Sequence, residues 1–205
     1  MGSARSKVEL SKSELRELVA TSTFDESELL VLFDHFKAIS ASETDDGLID
    51  LSEFSRALGL TKNLFSRRIF RLFDENGDGV INFKEFVIGL SIFSPKGSTA
   101  DKEDFSFRFF DSDGDGYISR EELDEVLRAS ISEHGQLAIS EEQIEALLDS
   151  TFEEVDLNGD GRIDKAEYKL MLKKHKSILD QMTIGAQEGS EFSKIEIKTK
   201  KYSLK

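Results

Sequence analysis

The chain contains no cysteine and no tryptophan, and only one proline, Pro95. Without cysteine there is no disulfide, no thiol nucleophile and no thiolate metal site, and the composition suits a reducing cytosol. One proline leaves long stretches free to be helical. No uninterrupted apolar run approaches the roughly 18 residues of a spanning helix, and no signal-peptide core is present. Basic residues are in deficit, with 27 Lys and Arg against 41 Asp and Glu, so the formal net charge is −14. A surface of that sign is unsuited to nucleic-acid backbones. There is no Gly-x-Ser-x-Gly elbow and no phosphate-cradling glycine loop. The three histidines, His35, His134 and His175, are scattered. The usual catalytic constellations are therefore missing, and no enzymatic activity is expected.

What is present is a repeated sentence of twelve residues. It reads Asp74-Glu-Asn-Gly-Asp-Gly-Val-Ile-Asn-Phe-Lys-Glu85, then Asp111-Ser-Asp-Gly-Asp-Gly-Tyr-Ile-Ser-Arg-Glu-Glu122, then Asp156-Leu-Asn-Gly-Asp-Gly-Arg-Ile-Asp-Lys-Ala-Glu167. Side-chain oxygens stand at positions 1, 3 and 5, namely Asp74, Asn76 and Asp78, then Asp111, Asp113 and Asp115, then Asp156, Asn158 and Asp160. Alternate residues of a loop that curls round an ion point inward. A hard cation that takes about six to eight oxygens in a forgiving geometry is Ca²⁺. Position 6 is glycine (Gly79, Gly116, Gly161), where a sharp turn needs positive φ. Position 7 (Val80, Tyr117, Arg162) contributes a backbone carbonyl, so its side chain varies. Position 9 (Asn82, Ser119, Asp164) is expected to act through a water. Glu85, Glu122 and Glu167 reach back from the next helix to bind through both oxygens, which favours Ca²⁺ over the smaller Mg²⁺. These are EF-hand loops, and the cofactor they imply is Ca²⁺. Four bound Ca²⁺, counting the degenerate loop described next, would add +8 to the net charge of −14 and leave −6.

A fourth, degenerate loop precedes these three. Ile81, Ile118 and Ile163 occupy position 8, and Ile49 is their counterpart. Counting from Ile49 makes Gly47 position 6 and Glu53 position 12, but places Ser42 at 1 and Thr44 at 3, both poor ligands. A loop longer by two residues would run from Ser40 to Glu53 and use backbone carbonyls instead. Glu53 is the metal-site candidate in this hand. Fewer charges imply weaker binding, or a structural role alone.

The fold expected is all-α, with four EF-hands in two paired lobes and short antiparallel ladders between paired loops. Ile49 should meet Ile81, and Ile118 should meet Ile163. A leader (1–22) holds a short helix over about 8–20, with Ser11-x-x-Glu14 as its capping box and Leu15, Leu18 and Val19 on one face. The first pair spans 23–94, its entering helix opening at Thr23-x-x-Glu26 and its first exiting helix running from near Leu51 to Gly59. Ser94-Pro95-Lys96-Gly97 marks the lobe boundary. The second pair spans 95–176, with a longer connection through Ser132–Ser140 and a capping box, Ser140-x-x-Gln143, opening the last hand. A C-terminal helix at Ile178, Leu179 and Met182 and a basic, flexible tail complete the 177–205 region. The chain has sixteen phenylalanines, all but Phe192 within the paired hands. Most should be core, and some should line a groove that opens when Ca²⁺ swings the helices. Met1-Gly2-Ser3-Ala4-Arg5-Ser6 fits N-myristoylation at Gly2. A single acyl chain, helped by Arg5, Lys7 and Lys12, anchors a protein to a membrane reversibly.

The segment Phe36-Lys-Ala-Ile-Ser-Ala-Ser-Glu-Thr-Asp-Asp-Gly-Leu-Ile49 is the most discriminating stretch. It resembles the two-residue-longer first loop of the calcineurin B superfamily, most closely of the calcineurin B-like sensors of plants. Asn63-Leu-Phe-Ser-Arg-Arg-Ile-Phe-Arg-Leu-Phe-Asp74 and Glu85-Phe-Val-Ile-Gly-Leu-Ser-Ile-Phe-Ser-Pro95 resemble their second hand. The similarity covers about residues 24–184. It implies a non-catalytic, cytoplasmic Ca²⁺ sensor, possessing a groove for a short apolar helix in the regulatory segment of a Ser/Thr protein kinase and acting at a membrane. The family's Phe-Pro-Ser-Phe tail motif is absent. The completeness of the last three loops leans toward calcineurin B itself, whose partner is the catalytic subunit of a Ser/Thr phosphatase. A Ca²⁺ buffer is the remaining alternative.

Overall fold

The computed structural model describes residues 9–59, 63–94, 96–133 and 139–175. Gly2 and the rest of the leader to residue 8, Pro95, the connection at 134–138 and the tail from 176 lie outside the described residues.

The elements run in the order α1 (Lys12–Thr21), α2 (Glu26–Ser40), α3 (Leu51–Ala57), α4 (Leu64–Phe73), α5 (Phe83–Phe93), α6 (Thr99–Phe110), β1 (Tyr117–Ile118), α7 (Arg120–Glu133), α8 (Glu141–Val155), β2 (Ile163–Asp164) and α9 (Lys165–Lys174). After α1, each hand is one helix, one loop and a second helix: α2/α3, α4/α5, α6/α7 and α8/α9. The described residues are all-α apart from the ladders, as expected.

Local chemistry sets the helix starts. Ser11 and Glu14 form the reciprocal capping box that opens α1, and Ser140 and Gln143 form the one that opens α8. For α2 the expected start is two residues early. Asp25, not Thr23, is the N-cap, and Glu28 closes the box. A carboxylate caps at least as well as a threonine hydroxyl. Thr23 is instead drawn toward α5, where its N–H donates to the Ser91 hydroxyl at 3.3 Å. Gly59, at φ +70°, follows α3 in the left-handed conformation that closes a helix end.

Loops pair through their eighth residues. Ile49 and Ile81 form an antiparallel bridge, with N–H···O distances of 2.9 and 2.8 Å. Ile118 pairs with Ile163 between β1 and β2. All four isoleucines are buried, so each ladder is also the floor of its lobe's core.

Phenylalanine fills the first pair of hands. Phe36 meets Phe83 and Phe86, while Phe54 meets Phe70 and Phe73, with ring centroids 5.2–5.6 Å apart. Such tilted and edge-on contacts let the positive rim of one ring face the negative face of another. α1 lies over this core through buried Leu18 and half-buried Leu15, whereas Val19 is exposed. The expected apolar face of α1 is thus narrower by one residue. A smaller cluster, Phe107, Ile118, Val155, Ile163, Tyr168 and Leu172, lies between the last two hands.

Candidate Ca²⁺ sites

Each loop begins where an entering helix runs out. Asp74, Asp111 and Asp156 are the residues immediately after α4, α6 and α8, and each N–H still bonds to the carbonyl four residues back. Each aspartate then organises its own loop. Asp74 Oδ1 accepts from Gly77 and Asp78 N–H, and its Oδ2 accepts from Gly79. Asp111 takes the Gly114 and Gly116 N–H groups, and Asp156 takes those of Gly159, Asp160 and Gly161. The loops close this tightly because Gly79, Gly116 and Gly161 have φ of 87°, 89° and 82°.

Position 5 repeats as faithfully. Asp78, Asp115 and Asp160 each accept the N–H of position 7, from Val80, Tyr117 and Arg162, at 2.9–3.0 Å. Position 3 is Asn76, Asp113 or Asn158, and its oxygen accepts from the residue at 5. In loop three one carboxylate oxygen from each of Asp111, Asp113 and Asp115 lies within 4.8 Å of the other two. Three like charges that close repel strongly unless a cation sits among them. The donor set is all oxygen, and it fits Ca²⁺.

The position 12 glutamates join loop to lever. Glu85, Glu122 and Glu167 stand in the first turns of α5, α7 and α9. One oxygen of each accepts from the N–H of position 9 and the other reaches back to the start of the loop, to Asn76, to Ser112 and Asp113, and to Leu157 and Asn158. Glu122 is buried, which pushes its carboxyl up, but hydrogen bonds from Ser119 and Ser112 outweigh this and hold it below the ordinary glutamate range. Position 9 has a role the motif does not announce. Asn82, Ser119 and Asp164 each accept the position 12 N–H, so they cap the exiting helices.

Hand one follows this pattern only in its second half. Glu53 is 1% exposed and accepts from Glu43, Thr44 and Asp50 N–H. This register puts Thr44 at 3 and Asp46 at 5. Asp46 Oδ1 does take the Leu48 N–H at 3.0 Å, as its counterparts do. Asp46 is an oxygen donor that the spacing argument missed. Its offset of seven residues before the glutamate, shared with Asp78, Asp115 and Asp160, is the signal that could have found it. Position 1 fails. Ser40 remains in the last turn of α2, its hydroxyl donating to the Lys37 carbonyl. The loop is then longer than the others by one residue, between the twelve-residue register from Ser42 and the two-residue extension from Ser40 that the sequence left open. The residue at this position is not an aspartate, and Arg56 brings a cation to the Ser42 carbonyl and the Glu43 carboxylate. Burial raises the Glu53 carboxyl above its ordinary range despite three N–H donors.

Comparison with known proteins agrees with this geometry. The EF-hand domain pair family matches residues 104–173, and the EF hand domain family matches 66–93. The calcineurin B subunit of Naegleria gruberi is 35% identical over 85% of this chain and 95% of its own length. Calcineurin B-like protein 5 of Arabidopsis thaliana is 36% identical over 90% of this chain and 93% of its own length. The type 2 calcineurin B subunit of Dictyostelium discoideum is 34% identical over 82% of this chain and 87% of its own length. The chain belongs to the calcineurin B family. A calcineurin B-type protein is a Ca²⁺-binding EF-hand protein of the regulatory class, and the oxygen-lined loops above suit that ligand. No helix among the described residues is long and apolar enough to cross a membrane.

Proposed function

We propose that this calcineurin B-type chain is a non-catalytic Ca²⁺ sensor that regulates a Ser/Thr protein kinase by capturing an apolar helix of its regulatory segment. We assign Ca²⁺ to loops two, three and four through the residues named above, with Glu53 and Asp46 in a weaker first site. We divide the chain into an N-terminal pair at 23–94 and a C-terminal pair at 95–176. The observation that carries the reading is the double duty of the position 12 glutamates. Each is anchored in the first turn of an exiting helix and tied to the start of its loop, so a change in the loop's charge is transmitted to the helix. The bound ion supplies the positive charge that lets the converging carboxylates stay together. The chain's own residues do the rest: the position 1 aspartates hold the loop shape, the paired isoleucines link neighbouring loops, and the glutamates turn the helices.

Lipid at Gly2, and with it reversible residence at a membrane from the cytoplasm, belongs to the same proposal. The kinase reading rests on the extended first loop and on the similarity to calcineurin B-like protein 5. The second reading is supported by three complete loops and by the relatives named as calcineurin B subunits. In it the partner is the catalytic subunit of a Ser/Thr phosphatase. Pull-down with the full chain, in Ca²⁺ and in chelator, read by mass spectrometry, separates the two. A kinase enriched only in Ca²⁺ supports the first, and a phosphatase catalytic subunit supports the second. No Ca²⁺-dependent partner, together with an unchanged apolar-dye signal, would leave a buffer and overturn both.

A further inference from the structure

α4 is the entering helix of hand two, and it passes the chain directly to Asp74 at the head of loop two. Two of its arginines, one turn apart, reach across into hand three. Arg68 is 4% exposed. Its Nη1 donates to the carbonyls of Phe109 at 3.0 Å and Phe110 at 3.1 Å, and its Nη2 pairs with Glu125 of α7 at 2.8 Å. Arg71 donates to the carbonyl of Ser112 and, at 3.5 Å, to that of Asp111. Four consecutive carbonyls, 109 to 112, are thereby held by one helix of the other pair of hands. They are the last two of α6 and the first two of loop three. Phe65 stacks on Phe109 with centroids 5.9 Å apart and closes the same seam. Arg67, between the two on the chain, is exposed, and its guanidinium bonds within its own turn, to the Asn63 carbonyl.

This arrangement does more than cover surface. The carbonyls at the end of a helix carry its negative pole, and guanidinium groups are the natural donors to them. A buried guanidinium cannot give up such partners cheaply, because an uncompensated charge would be left out of water. The end of α6 therefore cannot shift without either moving α4 or breaking these bonds. α4 in turn is continuous with Asp74, which organises loop two. One rigid rod thus has loop two at its tip and the mouth of loop three at its side.

We infer that Arg68 and Arg71 are positioning residues for the third Ca²⁺ loop, and that through α4 the occupancy of loop two sets the affinity of loop three. An ion in loop two fixes Asp74, stiffens the end of α4, and so holds carbonyls 109–112 in the geometry that loop three needs. By reciprocity, filling loop three strengthens loop two by the same factor. The inference rests on loops two and three being the ion sites proposed above.

Tyr117 makes the test loop-specific. It stands at position 7 of loop three, and none of the other loops contains a tyrosine. Tyr117 also lies beside loop four, paired with Asp164 and under Arg162, so with Tb³⁺ as the probe ion and the full chain as the sample, the emission that Tyr117→Phe abolishes and that Glu167→Gln in loop four spares reports loop three. The midpoint of that emission is measured with loop two intact and with loop two disabled by Glu85→Gln. The expected result is at least about a threefold weakening by Glu85→Gln in the otherwise unchanged protein, the size of a modest coupling between sites. The shift should shrink toward unity when Arg68→Met or Arg71→Gln is added. Glu125→Gln, at a residue whose side chain is 61% exposed, should reduce it partway. Should Arg68→Met lose helical circular dichroism, the exposed Arg71 and Glu125 variants decide. A midpoint indifferent to Glu85→Gln, or a shift of equal size in all the variants, overturns the inference and leaves the ion sites standing. Absence of any Tyr117-dependent emission overturns the loop-three assignment itself.

Discussion

The two pairs of hands share one loop grammar and differ in nearly everything beneath it. Among the described residues, the cluster under hands one and two includes 18 buried apolar side chains, Phe105 of α6 among them, and that under hands three and four includes 6. The loops run the other way. The richer core carries the defective loop, and the poorer core carries two complete ones. Leu147, Leu157 and Leu170, at 45–63% exposure, belong to the last hand. Apolar burial is what holds a domain folded without help, at roughly 25 cal/mol for each Å² removed from water. Converging carboxylates oppose folding until a cation arrives, and binding energy then becomes folding energy. If the loops hold Ca²⁺ as proposed, the first pair should stay folded through changes in Ca²⁺ and the second should respond to them.

Removing the metal puts this contrast under the greatest stress. An ion held at about a thousand times its dissociation constant stabilises its host by about 4 kcal/mol. In chelator, amide exchange should accelerate broadly across α6 to α9 while Phe36, Phe54 and Phe86 and their neighbours stay protected. Uniform loss of protection over both pairs would break the comparison. Next in size is Phe36→Ala, which opens a cavity beneath Phe83 and Phe86. It should cost about 3–5 kcal/mol, as much with Ca²⁺ as without, by urea denaturation followed on the first pair. A cost that vanishes in Ca²⁺ would mean that this core also depends on its ions.

The loops are legible in the sequence because their chemistry is local. Ligand spacing, a glycine at the turn, the position 8 isoleucine and two of the capping boxes are all set by residues within a dozen positions. Pairing of Ile49 with Ile81 follows from the repeat alone. Long-range choices are not legible. No local pattern separates Arg68 from Arg67, yet one is buried against hand three and the other is exposed. Thr23 loses its capping role to Asp25 and contacts Ser91, distant in the chain. Val19 falls outside the buried face of α1 because the packing stripe there is only as wide as Leu15 and Leu18 allow. The first loop departs from expectation at its front, where no motif constrains the chain, and agrees with it at its back, where Gly47, Ile49 and Glu53 do.

Gly89 gives a sharper probe of the first pair than a large deletion. It sits in the middle of α5, where alanine is the better helix former by about 1 kcal/mol. A Cβ built there would come within 2.4 Å of the Phe73 ring. Phe73 is in turn packed on Phe54 and Phe93, so it has little room to yield. Overpacking typically costs about 1–3 kcal/mol. Gly89→Ala should therefore destabilise the first pair by up to about 2 kcal/mol despite its better propensity, as a lowered urea midpoint. A gain in stability would show that the phenylalanine core is loose and that the contrast between the pairs is overstated.

The smallest effect is also the most direct readout of the two kinds of loop. Glu53 and Glu122 occupy the same position in hands one and three, and their carboxyls are displaced in opposite directions, up for Glu53 through burial and down for Glu122 through its serine hydrogen bonds. A carboxyl raised in the folded state binds its proton more tightly there than in the unfolded chain. Hand one of the metal-free protein therefore gains stability as pH falls through the range just above the ordinary glutamate value near 4.5. A lowered carboxyl does the opposite. Its contribution is full above the unfolded value and is lost as pH falls through the folded one, below 4.5. Carboxyl-detected NMR of metal-free protein should place the Glu53 midpoint above that of Glu122. The reverse order would mean that hand one's glutamate is the better solvated of the two, and that its loop is open rather than closed over a buried acid.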